Sequence, residues 1–456
     1  MARTRHRRVA VVTLGCGRNE VDSDQVGGGL EAAGFELVDD PRVADCILVN
    51  TCTFIEPARE ESVEVILAAC DLRAPVLVIG CMAQRYGPEL AEALPEVAAV
   101  VGFADYPRLP QIVADILGSP LTPQPARRSL PLMPTVEQGP DRPPTAAFPV
   151  RTSPRGPWAY LKIASGCDRV CTFCTIPSFR GRFRSRPLDE LEAEARWLVG
   201  QGVRELVCVS ENTTSYGKDL PRGRRSQQEL VRMLERVEGL ERVRLLYLQP
   251  AELTDPLLDA MAASPVVASY YDLSLQHASE PVLRRMARSG DAERFADLVS
   301  SIRRRDPGAV FRSSFIVGFP GEEEADVVLL EQFLAEARLD WAGFFTFSRE
   351  EGTPSAAFPG QIDPAEARSR LERLVAVQES VAEQCAERFI GHRLDVLVEE
   401  RGAGSVGRSY REGPETDGEV RLPGCDIPVG RMVPVRIAAT DGVDLVGVPV
   451  PACSHG

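Results

Sequence analysis

Short apolar runs alternate with amphipathic stretches along most of this chain. In residues 1–118, "VAVVTLGC", "DCILVNTC", "PVLVIGCM" and "AAVVGF" read as strands, and each leads into a helical pattern such as "DQVGGGLEAAGF" or "PAREESVEVILAAC". Strand-then-helix repetition predicts an open parallel sheet covered by helices. Residues 119–157 are rich in proline and poor in periodicity, which predicts a linker. Residues 158–385 resume the alternation. The strand candidates are "AYLKIA", "ELVCVS", "VRLLYLQ", "YYDLSLQH", "FRSSFIVGF" and "WAGFFTFS", and six β/α units predict a partial, open (β/α)6 barrel. In residues 386–456 the helical pattern gives way to short β-like runs with glycine turns, among them "RLDVLVEERG", "EVRLPG", "MVPVRIAAT" and "VDLVGVPV", which predict a small β-barrel. The fold class is therefore α/β, with three modules at 1–118, 158–385 and 386–456.

Composition adds limits. At 456 residues, 44% hydrophobic and 26% charged, the chain is long enough for several globular cores. A net charge of −14 gives no overall basic surface of the kind that advertises nucleic-acid binding. The apolar run Val9 to Leu14 is too short for a signal-peptide core or a membrane span, and the basic start reads as a solvated tail. Twelve cysteines in so long a chain, several in short motifs, read as metal ligation in a reducing compartment, so the expected location is cytoplasmic. A monomer is expected.

"ASGCDRVCTFCTIP" places Cys167, Cys171 and Cys174 in a C-x3-C-x2-C loop after the first barrel strand. Thiolates at this spacing wrap one face of an iron–sulfur cube. Three ligands for four irons leave one iron open to a cofactor or substrate, much as a catalytic zinc keeps one position free. A zinc knuckle would need a fourth ligand, and none of the four histidines is close in sequence.

Cys16, Cys52 and Cys81 each end an apolar strand candidate. The carboxyl ends of parallel strands line one crevice, so these distant thiols are expected to converge as a second open triad. Cys46, Cys70, Cys208, Cys385, Cys425 and Cys453 lack such placement and read as core or surface thiols.

The C-x3-C-x2-C loop with Phe173 before its last cysteine resembles the radical S-adenosylmethionine (SAM) superfamily. That resemblance implies a [4Fe-4S] cluster whose open iron chelates SAM and whose electron releases a 5′-deoxyadenosyl radical. The wider signatures "TLGCGRNEVDSD", "VNTCTFIEPAREES" and "GCMAQRY" resemble the methylthiotransferases. These combine an N-terminal cluster domain, a radical-SAM domain and a C-terminal TRAM barrel. "NTCTFIEPAREESVEVI", "IPSFRG" and "LSLQHAS" are similar to the branch that modifies an aspartate of small-subunit ribosomal protein S-twelve, rather than the branch that modifies a transfer-RNA adenosine.

The resemblance implies two [4Fe-4S] clusters. The one on Cys16, Cys52 and Cys81 carries a sulfur that one SAM methylates. The one on Cys167, Cys171 and Cys174 cleaves a second SAM. The resulting radical takes a hydrogen from the aspartate β-carbon, which then receives the methylthio group. A flavodoxin- or ferredoxin-type reductant, a sulfur donor and the ribosomal protein are the implied partners, with no membrane and with a transfer-RNA adenosine as the alternative substrate. The linker would let the N-terminal domain fold over the barrel mouth.

Phe173, Ser210, Glu211, Gln276 and Gly318 are the candidate SAM contacts, from their places at strand ends. Phe173 and His277 read equally well as structural residues, and the glycines of "IVGFPGE" as a tight turn. Three departures from the family pattern, Gly17-Arg18, Ser165 and Glu211-Asn212, replace no cysteine. The stretch from Arg393 to Val450 has seven arginines and no lysines against ten acidic residues, a net of −3. Such a module suits a basic protein better than a phosphate backbone.

Overall fold

The computed structural model describes residues 7–118, 151–223 and 225–450. The basic start, most of the proline-rich stretch and Cys453 lie outside them, as does the expected domain closure through that linker. By internal contacts the chain forms two compact units. One comprises residues 1–153 with 166–168 and 175–182, and the other the remainder.

The first unit contains β1 (Arg8–Thr13), α1 (Gly17–Ala32), β2 (Glu36–Leu37), β3 (Cys46–Thr51), α2 (Glu56–Cys70), β4 (Val76–Gly80), α3 (Cys81–Ala93), β5 (Ala99–Val100), α4 (Leu109–Gly118) and the short α5 (Ile176–Arg180). The five strands are parallel in the order β2-β1-β3-β4-β5. Alternate side chains of β3 and β4 enter two separate cores. Leu48, Leu77 and Ile79 pack with Val26, Leu30 and Leu109 of α1 and α4, while Ile47, Val49, Val76 and Val78 pack with Ile66, Met82 and Leu90 of α2 and α3. This double burial is why the strands read as unbroken apolar runs, and each such side chain contributes roughly 1.5–3 kcal/mol.

Two helices differ from the sequence reading. α1 starts at Gly17, one turn and more before "DQVGGG", and α3 starts at Cys81 and kinks at Tyr86. The opening turns of α1 bury Asn19, Asp22 and Ser23 beside the single apolar Val21, so they show no clear hydrophobic period. The two-residue edge strand β2 was not anticipated.

The second unit holds six parallel barrel strands: β6 (Trp158–Lys162), β9 (Glu205–Val209), β10 (Arg242–Leu245), β11 (Tyr270–Gln276), β12 (Val310–Val317) and β13 (Trp341–Thr346). A small ribbon, β7 (Ala164–Ser165) and β8 (Arg184–Ser185), follows β6. The six strands form two triplets, β6-β9-β10 and β11-β12-β13, joined by single bridges at Val243↔Val267 and Leu248↔Leu273. Helices α6 (Leu188–Gly200), α7 (Arg225–Glu235), α8 (Asp255–Ala263), α9 (Glu280–Arg285), α10 (Ala292–Arg305), α11 (Glu324–Ala337) and α12 (Pro364–Glu387) surround one large core.

Strands β14 (Arg393–Arg401), β15 (Gly404–Arg408), β16 (Val420–Pro423), β17 (Met432–Asp441) and β18 (Asp444–Pro449) close into a barrel in the order β14-β15-β16-β18-β17. Its core continues into Tyr270, Val310 and Phe389 at the ends of β11, β12 and α12. Among the described residues no helix is long and apolar enough to cross a membrane.

Candidate functional site

The strand order β2-β1-β3-β4-β5 reverses direction between β1 and β3, the topological switch point where open parallel sheets bind ligands. Cys16 follows β1, Cys52 follows β3 and Cys81 follows β4. Each also stands at or before a helix N-terminus. Cys16 caps α1, Cys52 precedes α2, and Cys81 is the first residue of α3. Helix N-termini present free N–H groups and a partial positive charge, which favour thiolates.

Asn19 sits at the centre. Its Nδ2 donates to the Leu14 and Thr51 carbonyls at 2.9 and 3.1 Å, and its Oδ1 accepts from the Cys81 thiol at 3.5 Å and from Arg180 Nη2 at 2.8 Å. Asn50 Nδ2 donates to the Asn19 carbonyl and to Ser23 Oγ, both at 2.8 Å. Ser62 Oγ accepts from the Cys52 amide and donates to the Cys52 carbonyl, both at 3.1 Å, fixing that loop.

The electrostatics are uneven. Burial pushes the Cys16 thiol up, but the Arg18 guanidinium, 3.4 Å from its sulfur, and Arg180 together bring it below the ordinary value. Burial raises Cys52, partly offset by the Phe54 and Thr53 amides aimed at its sulfur. Burial lifts Cys81 to about 11 against the pull of Arg180. The three thiols also act on one another, with Cys16 pushing up Cys52 and both pushing up Cys81. The Asn19 side chain ties the three strand ends together, touching the Leu14 carbonyl, the Thr51 carbonyl and the Cys81 sulfur.

Gly15 has φ +95°, and a Cβ there would lie 2.9 Å from Cys52 Cβ and 3.0 Å from its sulfur. Gly15→Ala is expected to destabilise the apo chain by about 1–2 kcal/mol through its positive φ and to lower iron uptake at this triad. Thermal unfolding and iron analysis after reconstitution check the two effects.

The donor set fits a three-point cluster. Three soft thiols converge with helix N-termini behind them, and the fully buried Thr53 Oγ1 has no hydrogen-bond partner among the described residues. No group of three His, Cys, Asp or Glu among those residues is close enough to hold a single metal ion. A cube bound at separate corners needs its thiolates spread wider than the ligands of one ion, whose metal–sulfur bonds are about 2.3 Å.

The second cysteine loop lies between β7 and α5. In the first unit, Gly166 has φ +81° and a Cβ there would meet the Arg182 carbonyl at 2.1 Å, while the Cys167 amide donates to the Gly181 carbonyl at 3.1 Å. In the second unit, the Cys174 amide donates to the Cys171 carbonyl at 3.1 Å, closing a turn. Thr172 anchors it by donating from its amide to the Met286 carbonyl at 3.2 Å and from Oγ1 to the Arg285 carbonyl at 2.7 Å. Arg288 Nη1 is 3.8 Å from Cys171 Sγ, and burial holds that guanidinium below its ordinary value.

The expected SAM contacts fall at the carboxyl ends of the barrel strands. Phe173 is half-buried and meets Phe319 edge-on at 6.4 Å. Ser210 is fully buried and lies 3.2 Å from both Thr213 Oγ1 and the Asn212 amide, so it braces the loop after β9. Glu211 beside it is half-buried. In the same loop Asn212 and Ser215 donate to Glu252, at 3.0 and 2.5 Å, and Arg169 donates to it at 2.5 Å.

Gln276 ends β11 at a bulge with φ +73°, and Tyr247 after β10 has φ +60°. Strained non-glycine residues at strand ends are a functional signal. Gly318 has φ +73°, its amide donates to Glu322 at 3.0 Å, and a Cβ there would press on Ala367 at 2.6 Å. The turn and this close helix approach account for the glycine. His277 is buried, accepts from the Ser279 amide through Nδ1 at 2.9 Å and faces Glu322 at 3.4 Å, a structural role. Sequence reasoning gave no role to Asn19, Ser62 and Arg180, although the quoted signatures contain them, and missed Arg288, which lies outside them.

Family models match the three modules: "Uncharacterized protein family UPF0004" over residues 8–102, "Radical SAM superfamily" over 161–334 and "TRAM domain" over 390–450. Among solved structures, the radical SAM methyltransferase TsrM from Kitasatospora setae is similar with a TM-score of 0.53 at 18% identity, covering 86% of this chain and 80% of that one. The cobalamin-dependent SAM radical enzyme OxsB has a TM-score of 0.51 at 12% identity, covering 82% and 56%. These likenesses concern the fold alone.

Curated relatives are much nearer. The protein named "Ribosomal protein uS12 methylthiotransferase RimO" from Streptomyces avermitilis is 45% identical, covering 98% of this chain and 97% of that one. Its namesake from Saccharopolyspora erythraea is 47% identical, covering 98% and 96%. The one from Cutibacterium acnes is 46% identical, covering 97% and 98%. With such identity end to end, and with all three modules in the same order, the chain belongs to the RimO family of ribosomal protein methylthiotransferases.

Proposed function

We propose that this chain replaces a hydrogen on the β-carbon of an aspartate in small-subunit ribosomal protein S-twelve by a methylthio group. The observation that carries this reading is the convergence of Cys16, Cys52 and Cys81 at the switch point of the first unit. Radical generation from SAM needs one three-cysteine loop, already present as Cys167, Cys171 and Cys174. A second open triad is what sulfur insertion adds.

When bound, the two [4Fe-4S] clusters and SAM supply the reductive cleavage, the hydrogen abstraction and the sulfur. The chain's own residues hold and shield that chemistry. Cys16, Cys52 and Cys81 bind through thiolates favoured by helix N-termini, with Arg18 beside Cys16 offsetting negative charge. Cys167, Cys171 and Cys174 bind the second cluster, with its fourth iron left to SAM.

Phe173, Ser210, Glu211, Gln276 and Gly318 line the SAM face in this reading. Two further candidates are Arg288, a half-buried cation suited to the SAM carboxylate, and Gln249, whose buried carboxamide oxygen has no hydrogen-bond partner among the described residues. Arg288→Met is expected to weaken SAM binding by about tenfold to a hundredfold, the loss of a hydrogen bond to a charged group. Equilibrium dialysis of the reconstituted protein with labelled SAM reads it.

The acidic balance of the C-terminal barrel favours a protein substrate. Arg401, Arg408, Arg411 and Arg421 are held in ion pairs with Asp426, Glu399, Glu412 and Glu419, leaving Arg393, Arg431 and Arg436 exposed. An external one-electron donor of flavodoxin or ferredoxin type and a sulfur donor complete the reaction, which is placed in the cytoplasm with its substrate.

The test offers the ribosomal protein and unmodified transfer RNA in parallel to the reconstituted enzyme with reductant, SAM and sulfide. Mass spectrometry is expected to find the methylthio group on the aspartate. A gain on transfer RNA alone would overturn the substrate assignment.

A further inference from the structure

Arg180 is the last residue of α5, six positions beyond Cys174 along the chain. Its side chain is 5% exposed. Nη1 donates to Asp22 Oδ2 at 2.8 Å, and Nη2 donates to Asn19 Oδ1 at 2.8 Å and to Cys81 Sγ at 3.1 Å. The guanidinium lies over the Phe103 ring, 4.4 Å from its centroid, so its flat face is covered and its donors act in plane. All of these residues belong to the first unit.

A buried guanidinium needs compensation. Asp22 supplies one negative charge. If Arg180 only fastened α5 by this ion pair, its second amino group would have no reason to address a sulfur. It instead donates to Cys81, while Arg18 donates to Cys16, so the two arginines address two different thiols of the triad.

We infer that Arg180 is a positioning residue of the first cluster site, which holds the Cys81 sulfur by a charge-assisted hydrogen bond and raises the reduction potential of the cluster bound there. The inference rests on Cys16, Cys52 and Cys81 being that cluster's ligands. Adding an electron makes a thiolate-ligated cluster more negative. A fixed cation donating to a ligand sulfur stabilises the reduced form more than the oxidised one. Removing the cation therefore lowers the potential.

The experiment uses the full chain carrying Cys167→Ala, Cys171→Ala and Cys174→Ala, so that a single cluster is observed. After anaerobic reconstitution, iron and sulfide content are measured and the cluster is titrated potentiometrically by electron paramagnetic resonance. Arg180→Gln is expected to lower the reduced-to-oxidised ratio at the parent's midpoint about tenfold, a shift of about 59 mV for a one-electron couple.

Arg180→Lys, which keeps the charge, should recover much of that shift. Arg180→Gln leaves Asp22 buried without its counter-charge. The Arg180→Gln/Asp22→Asn double variant removes that burden and should still titrate below the parent. Full iron content with an unmoved potential in both Gln variants would overturn the inference. Absence of iron from the parent would overturn the ligand assignment instead, and the inference with it.

Discussion

Cys171→Ala is expected to abolish both 5′-deoxyadenosine release and methylthiolation, whereas Cys16→Ala is expected to abolish methylthiolation and leave SAM cleavage measurable. The proposed mechanism gives the two triads different tasks. Cys171 belongs to the loop anchored through Thr172 to the Arg285 and Met286 carbonyls. Losing one of only three ligands opens that cluster, and no histidine is near in sequence to replace it.

Cys16 caps α1 in the other unit and is drawn toward thiolate by Arg18 and Arg180. Its loss removes the sulfur-carrying site without touching the loop of Cys171 and Cys174. Chromatography of deoxyadenosine beside mass spectrometry of the substrate separates the two outcomes. Equal loss of deoxyadenosine in both variants would contradict the division of labour.

Glu205→Ala is expected to destabilise the second unit by about 3–5 kcal/mol, the cost of breaking a buried ion pair from one side. Glu205 opens β9 with no exposed side-chain surface. It accepts from Arg244 at 2.5 Å and lies 3.2 Å from Arg408 and 3.4 Å from Arg242. Two of the arginines are otherwise satisfied by carbonyls of the C-terminal module, and Arg408 also pairs with Glu399. Arg244 donates to Tyr410 and Ser409 at 2.7 Å, and Arg242 donates to Asp395 at 2.7 Å and Ser409 at 2.9 Å. Glu205 is thus the fully buried carboxylate that all three guanidiniums share at the seam between barrel and C-terminal module, and Glu399 replaces it only in part. Urea unfolding of the apo chain reads the effect.

The same carboxylate sets a pH dependence. Burial alone would raise the Glu205 carboxyl, but Arg408, Arg244 and Arg242 together hold it far below the ordinary range. A group depressed in the folded state contributes its stability above its unfolded value of about 4.3. That contribution is lost as pH falls through the folded value. The parent chain should lose stability below about pH 4–5 more steeply than Glu205→Ala, until the two curves approach each other.

The placement of Cys16, Cys52 and Cys81 at one sheet edge was legible because each follows an apolar strand, and a parallel sheet sends such strand ends to one edge. The six barrel strands were legible for the same reason. What surrounds the cysteines was not. Asn19, Asp22 and Ser23 are polar residues buried at the start of α1, and a reading based on apolar periodicity starts that helix too late. Arg180 and Cys81 are 99 positions apart, so their contact exists only in the folded chain.

Strand β15 was missed because Gly404 and Gly407 break its apolar pattern. A Cβ at Gly407 would meet the Leu397 carbonyl at 2.1 Å, so tight packing against β14 demands the glycine. Gly318 was read both as a close approach to a ligand and as a tight turn, and the turn is visible in its amide on Glu322 and its missing side chain against Ala367.

The central claim is that this chain abstracts hydrogen from an aspartate β-carbon and puts sulfur in its place. The most direct measurement uses the ribosomal protein loop as a peptide with deuterium on that carbon, incubated with the reconstituted enzyme, reductant, SAM and sulfide. The account predicts deuterium in the released 5′-deoxyadenosine together with a methylthio group on the same aspartate. Deoxyadenosine free of deuterium, from a peptide that gains no methylthio group, would contradict it.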